Sequence, residues 1–209
     1  MLTKIAVLVS GGGTNLQALI DAQNNNILKS GKIEVVIASN PDAYAIKRAE
    51  NNKIPTEVVN KRDCASQNDF EKRIIDVLEK YDIDFIVLAG FMCILSEDFT
   101  KKYANRIINV HPSLIPSFCG KGFYGLKDHE AALEYGVKVT GATVHFVNEI
   151  PDGGKIILQK SVDILPDDTA EILQKRVMEQ AEWKILPEAC EIVSKEIMEV
   201  KWYGYLWYK

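Results

Sequence analysis

Short apolar runs recur along the first half of the chain. Each is closed by glycine, proline or asparagine and followed by apolar positions at helical spacing. Ile5-Ala6-Val7-Leu8-Val9 is the first run, and it ends in Ser10-Gly11-Gly12-Gly13-Thr14-Asn15. Leu16, Leu19, Ile20 and Ala22 then share one helical face, with Thr14 or Asn15 as candidate N-cap. Ile33–Ala38 predicts a second strand, punctuated by Asn40-Pro41-Asp42 before a helix from Ala43 to Asn51, and Thr56–Val59 predicts a short third strand. Phe70, Ile74, Ile75, Val77 and Leu78 form the apolar face of a helix from Gln67 to Lys80. Asp84–Ala89 is nearly all apolar, as a central parallel strand buried on both faces should be. It runs into Gly90-Phe91-Met92-Cys93-Ile94-Leu95, an apolar loop that is either core or the lining of a pocket for a flat aromatic ligand. A short helix from Glu97 to Tyr103 leads to a strand at Ile107. Such alternation predicts an α/β fold with a doubly wound, mostly parallel, Rossmann-like sheet.

Beyond Ile107–Val110 the pattern changes. Pro112 to Leu126 carries Gly120, Gly122 and Gly125 without periodicity, which suggests a mobile active-site loop. Asp128 to Tyr135 reads as helix, and Thr140–Val147 and Ile156–Gln159 read as strands joined by Asn148–Gly154. Asp167-Asp168 should open a helix running to Ala181, and Pro187 should open another through Ile197. The aromatic stretch Trp202–Tyr208 reads as a closing strand packed on the body. No repeat, low-complexity tract or linker interrupts the chain, so a single domain over 1–209 is expected.

Two stretches carry candidate chemistry. In Ile107-Ile108-Asn109-Val110-His111-Pro112-Ser113, Asn109 and His111 lie two apart and project from one strand face. Pro112 ends the ladder and leaves His111 at the carboxyl edge, where open α/β sheets bind ligands. An amide and an imidazole there can polarise a carbonyl and manage a proton. A strand-capping Asn and a turn His satisfied by backbone stand beside that reading. The glycine loop Ser10–Asn15 is the second stretch. It lacks the Gly-Lys-Ser/Thr of a Walker loop, and the third glycine position of the dinucleotide fingerprint holds Leu16. Backbone N–H groups at a helix start favour anions, so a monophosphate is the functional reading and simple turn geometry the structural one.

Composition narrows the classes. With 209 residues, 47% of them hydrophobic and 26% charged, the chain is long enough for a substantial core. Its net charge of −4 gives no reason to expect nucleic acid or an acidic membrane as partner. Cys64, Cys93, Cys119 and Cys190 are scattered without metal or disulfide spacing, suit a reducing cytoplasm and read as buried fillers. Met1-Leu2-Thr3-Lys4 runs straight into the first strand, an apolar stretch too short for a signal peptide or a spanning helix. A cytoplasmic enzyme or binding protein is expected. His145 alternates within a strand and reads as a structural hydrogen-bonder. His129, at a helix start, reads as surface or substrate contact, with surface first.

Four blocks, in order, resemble the glycinamide ribonucleotide formyltransferase family: SGGGTNLQA at Ser10–Ala18, AGFMCIL at Ala89–Leu95, NVHPSLIP at Asn109–Pro116, and VTGATVHFV at Val139–Val147 with Asp152-Gly153-Gly154. Asn-x-His-Pro-Ser marks the wider formyltransferase group. Ser-Gly-x-Gly-Thr/Ser-Asn narrows the likeness to the glycinamide enzyme and to formyltetrahydrofolate deformylase. The deformylase carries an additional N-terminal regulatory domain, whereas the glycine loop here begins close to Met1. Methionyl-tRNA formyltransferase has a C-terminal RNA-binding domain that this length and charge do not allow.

The resemblance implies a formyltransferase fold with antiparallel C-terminal strands. A phosphate- and ribonucleotide-binding half would span 1–110 and a catalytic and folate-binding half 111–209. It implies Asn109, His111 and Asp152 as the catalytic trio, and Gly13, Thr14 and Asn15 as the phosphate and glycinamide site. Glu182 would hold the ribose hydroxyls, on a helix with one extra residue. The folate pocket would be lined by Met92, Cys93, Ile94 and Leu95, by Asn109, and by Asn148, Glu149, Ile150, Pro151 and Asp152. Thr143 falls where the family keeps a small hydroxyl near a structural water. Departures from the family are Cys93 and Gln67 at or near arginine positions, Lys127 where many members have His, and an insertion over Lys121–Gly125.

The implied reaction moves a formyl group from 10-formyltetrahydrofolate, as co-substrate, to the amine of glycinamide ribonucleotide. Asp152 would orient and charge the His111 ring. No metal and no covalent enzyme intermediate is required. The expected partners are these two small molecules, with no nucleic acid and no membrane, and the chain a monomer or weak homodimer. A hydrolase sending the same formyl group to water, and a non-catalytic nucleotide sensor, are the alternatives.

Overall fold

The computed structural model describes residues 1–207. Seven strands form one sheet in the order β3-β2-β1-β4-β5-β6-β7. They are β1 (Thr3–Val9), β2 (Gly31–Ala38), β3 (Thr56–Val58), β4 (Phe85–Leu88), β5 (Ile107–His111), β6 (Val139–Phe146) and β7 (Ile156–Asp163). The first five pair in parallel, and β6 and β7 are antiparallel to their neighbours. This is the doubly wound sheet with antiparallel C-terminal strands that the sequence predicts. The helices are α1 (Thr14–Asn24), α2 (Tyr44–Asn51), α3 (Gln67–Lys80), α4 (Glu97–Lys102), α5 (Lys127–Tyr135), α6 (Ala170–Val177) and α7 (Trp183–Trp207).

Pleat alternation divides the core into two layers. Ile5, Val7 and Val9 pack with Leu16, Leu19 and Ile20 of α1 and with Leu186, Ala189 and Val193 of α7. Ala6 and Leu8 point the other way, onto Phe70, Ile74 and Leu78 of α3 and Phe99 of α4. Burial on both faces explains why β1 and β4 read as unbroken apolar runs. It also leaves the carboxyl ends of the strands as the place where polar side chains gather.

Four sequence expectations give way. Neither Thr14 nor Asn15 caps α1; Gly13 does, at φ +70°, and Thr14 is the first helical residue. Asp167-Asp168 does not open α6. Thr169 caps it by accepting from the Ile172 N–H, while Asp168 accepts from the Leu165 N–H and pairs with Arg176. Pro187 lies inside α7 rather than at its start, because α6 runs through a π turn (Met178–Glu182) directly into α7. The missing Pro187 N–H falls about one turn beyond that wider stretch. Trp202 to Trp207 continue α7 instead of forming a closing strand, and Tyr208 lies outside the described residues. A helix satisfies its own backbone groups, whereas a closing strand would need a sheet edge as partner.

Candidate active site

The antiparallel pairing of β5 with β6 builds the centre of the site. Asn109 sits opposite His145 and His111 opposite Thr143. The turn after β6 then brings Asp152 back over the end of β5. That turn depends on Gly154, since a Cβ there would lie 1.7 Å from the Phe146 carbonyl oxygen. Asp152 itself adopts φ +56°, a left-handed conformation that Asp and Asn tolerate better than most residues.

His111 is buried, and its Nδ1 lies 3.6 Å from Asp152 Oδ2. Its Nε2 donates to the Phe118 carbonyl at 3.1 Å and lies 3.6 Å from Asp128 Oδ1. His145 Nδ1 donates to the Phe146 carbonyl at 2.8 Å, and its Nε2 lies 3.3 Å from the Asn109 amide and 3.6 Å from Asp152 Oδ1. The Gly120 N–H donates to Asp152 Oδ2 at 2.8 Å. Burial pushes the Asp152 carboxyl up, but the His145 hydrogen bond, the His111 charge and the Gly120 N–H outweigh it and hold the group below the usual carboxylate range. Asn109, His111 and Asp152, far apart in sequence, therefore meet. His145 is the structural hydrogen-bonder its position suggested, here serving Asn109 and Asp152.

Thr143 braces the start of the long loop. Its hydroxyl donates to the Ser113 carbonyl at 2.7 Å and accepts from the Ile115 N–H at 3.1 Å and the Gln159 amide at 3.0 Å. His129, expected at the surface, is fully buried with neither ring nitrogen partnered. Burial, then the nearby His111, pushes it down to about 4. The register of α5 accounts for this: the turn that carries His129 faces the sheet rather than solvent. Burial also pushes the Asp128 carboxyl up, against the attraction of His111.

The glycine loop approaches the site from β1. The Arg48 guanidinium donates to the Gly12 carbonyl at 2.8 Å, and the Ala45 N–H donates to the Gly11 carbonyl at 3.1 Å, so α2 holds the loop. The first N–H groups of α1 have no partner inside the helix. Asn15 Nδ2 donates to Glu182 Oε2 at 2.7 Å, joining the loop to the π turn across 167 residues of sequence. This stretch is wound as a π turn, and Glu182 faces Asn15. Burial, opposed by the Asn15 hydrogen bond and reinforced by Asp128, pushes the Glu182 carboxyl up to about 7. A groove of about 520 Å³ between α1 and α7, lined by Thr14, Gln17, Asp21, Arg48, Trp183 and Lys184, opens beside this corner and does not include the trio.

Met92 and Ile94 of the first, apolar loop and Ile150 of the turn after β6 are largely exposed. Cys93 is half-buried, as are Cys64 and Cys119, so of the four cysteines only Cys190 is a buried filler. The backbone of the first loop is pinned from α3. Glu71 accepts from the Ser96 N–H at 2.6 Å, Gln67 donates to the Ile94 carbonyl at 3.1 Å, and the Met92 N–H donates to the Ser10 hydroxyl at 2.8 Å. Sequence reasoning missed Glu71 and Asp128. A glutamate within the apolar stripe of α3 was the available signal for Glu71. Among the described residues no helix is long and apolar enough to cross a membrane.

The family model for formyl transferase matches residues 3–190. The chain is 42% identical over 186 residues to the phosphoribosylglycinamide formyltransferase of Haemophilus influenzae, covering 89% of this chain and 84% of that protein. It is 43% identical over 197 residues to the human trifunctional purine biosynthetic protein adenosine-3, of which it spans only about a fifth (19%) while 94% of this chain is covered. Glycinamide ribonucleotide transformylase 1 from Symbiobacterium toebii superposes with a TM-score of 0.87 at 37% identity, over 93% of this chain and 89% of that one. Sheet order, the meeting of the trio and these likenesses agree: the chain belongs to the formyl transferase family, among the phosphoribosylglycinamide formyltransferases.

Proposed function

We propose that the chain transfers the formyl group of 10-formyltetrahydrofolate to the amine of glycinamide ribonucleotide, giving formylglycinamide ribonucleotide and tetrahydrofolate in purine biosynthesis. The observation that carries this reading is the convergence of an amide (Asn109), an imidazole (His111) and a carboxylate (Asp152) at the carboxyl end of β5. The amine nitrogen attacks the formyl carbon, and the carbonyl π pair moves onto oxygen. Asn109 and His111 donate to that oxygen, where charge develops. Asp152 orients the ring. A proton passes from the attacking nitrogen to the folate N10, through water or His111, and the bond from carbon to N10 breaks with its pair left on N10.

The substrates divide between the two halves of the sheet. Gly13, Thr14 and Asn15 present helix-start N–H groups to the phosphate, and Glu182 accepts from the ribose hydroxyls. Met92–Leu95 and Asn148–Asp152 would line the folate pocket, where the exposed Met92, Ile94 and Ile150 offer apolar surface to a flat pterin. We read 1–110 chiefly as the ribonucleotide half and 111–209 as the catalytic half of a single cytoplasmic domain, acting as a monomer or weak homodimer. The test mixes purified protein, 10-formyltetrahydrofolate and glycinamide ribonucleotide and follows free folate with and without the amine. Transfer requires folate release that depends on the amine, matched one for one by formylated ribonucleotide. Release at the same rate without the amine identifies a hydrolase, and no release leaves only a binding protein.

A further inference from the structure

Asp128 is the second residue of α5, its side chain wholly enclosed, with Oδ1 3.6 Å from His111 Nε2. Neither of its oxygens has a hydrogen-bond partner. A first-turn acid can stabilise a helix, but it does so best by accepting from the free N–H groups there, and here only the residue's own backbone N–H lies near, outside good hydrogen-bond geometry. A buried carboxyl left without partners is costly, so the position calls for another explanation. His111 supplies one. Asp152 stands off Nδ1 and Asp128 off Nε2, each at 3.6 Å, so the two ring nitrogens face two carboxylates. Both stand beyond hydrogen-bond distance, and the Nε2 proton goes to the Phe118 carbonyl, so Asp128 acts on the ring through its charge.

We infer that Asp128 is a positioning residue for formyl transfer, the second carboxylate of a clamp that fixes the orientation and charge of His111 from its Nε2 side. The inference rests on the reading of His111 as the group that serves the oxyanion. Nε2 now donates to the Phe118 carbonyl. When a substrate oxygen takes that carbonyl's place, Asp128 keeps the proton on Nε2 and the ring in plane. Other ionisable groups surround the pair. His129 lies on α5, Cys119 on the long loop and Glu182 on the π turn, while His145 on β6 sits beyond Asp152. His129 is neutral above about 4 and contributes no charge at neutral pH.

The test measures kcat against pH for wild type, D128N, H111Q and the double variant, with thermal unfolding as the check on folding. In D128N, kcat at neutral pH should fall about tenfold. Its kcat–pH profile should also change shape from that of wild type, because the ionisable group facing Nε2 is gone. H111Q should lose at least about a hundredfold, and adding D128N to it should cost nothing further, since Asp128 acts through His111. A D128N profile that superimposes on wild type overturns the inference. So does a loss of kcat with an unchanged profile shape, or an undiminished further loss in the H111Q background. Near wild-type turnover in H111Q instead refutes the underlying role of His111. If D128N does not fold, D128S, whose hydroxyl suits a helix start, is read by the same criteria.

Discussion

Replacing Gly13 by alanine should damage the fold, whereas the same change one residue earlier should damage only ribonucleotide binding. Gly13 sits at φ +70°, and a Cβ there would lie 2.6 Å from Ala45 Cβ and 2.8 Å from Ala45 Cα. The left-handed backbone costs a non-glycine residue about 1–2 kcal/mol. Overpacking against a backbone atom that cannot swing aside adds about 1–3 kcal/mol. Gly13→Ala is thus expected to lose roughly 2–5 kcal/mol of stability, which for a chain of this size lowers Tm by roughly 5–15 °C. Adding Ala45→Gly should recover part of the packing loss and none of the conformational loss. Gly12 has no atom within 4 Å of its would-be Cβ and no positive φ. Gly12→Ala should therefore unfold within about 0.5 kcal/mol of wild type, yet place a methyl group where the phosphate approaches the loop. Urea unfolding and steady-state kinetics on the same preparations read both effects. The Michaelis constant for the ribonucleotide should rise about tenfold in Gly12→Ala, equivalent to about 1.4 kcal/mol, with that for the folate unchanged. Gly13→Ala with wild-type stability, or a Gly12→Ala effect falling equally on both substrates, would refute this division of labour.

Other outcomes follow from the same geometry. Asn109→Ala should lower turnover by roughly 10²–10³ while the unfolding curve stays cooperative; a folded variant with near wild-type turnover removes Asn109 from the mechanism. Asp152→Asn keeps the shape and tolerates the left-handed backbone, so it should fold yet lose most turnover near neutrality. The depressed wild-type carboxyl contributes stability above the usual carboxylate range and loses it as pH falls through its folded value. The variant should lack that acid-side loss in a plot of unfolding free energy against pH. His129, pushed down to about 4, works in the same direction. The unfolded chain binds the extra proton between 6.5 and about 4, so up to about 3 kcal/mol is lost over that window, and His129→Phe should flatten the slope there. Glu182, pushed up to about 7, has the opposite sign. The folded protein holds the proton longer, so its contribution is most favourable below 4.5 and fades as pH rises to about 7, and Glu182→Gln should remove that decline.

Much of this architecture is legible from local pattern. The strand and helix alternation through β5 follows from short buried runs and amphipathic faces, and α3 begins and ends where its apolar stripe predicts. Asn109 and His111 could be placed on one face from their spacing alone. Their meeting with Asp152 could not, because the antiparallel return of β6 and the turn held by Gly154 are tertiary facts with no signature at either residue. The resemblance, not the spacing, supplied that partner. Asp128 was invisible for a related reason. An acid at a helix start has an ordinary local explanation, and only the enclosure of α5 against β5 gives it another. The C-terminal aromatics misled because their strand preference is weak beside the continuity of a helix already formed. His129 misled because a polar residue in a short helix carries no sign of which face it occupies.

The central claim is that Asn109, His111 and Asp152 form one site built for the oxyanion of formyl transfer. A stable tetrahedral adduct joining the ribonucleotide amine to a folate analogue tests it most directly, titrated calorimetrically into wild type and Asn109→Ala beside the ribonucleotide alone. The account predicts that the adduct binds wild type at least about a hundredfold tighter than the variant, while the ribonucleotide alone binds the two equally. Equal adduct affinity in both proteins, or an equal loss for adduct and ribonucleotide, would contradict it.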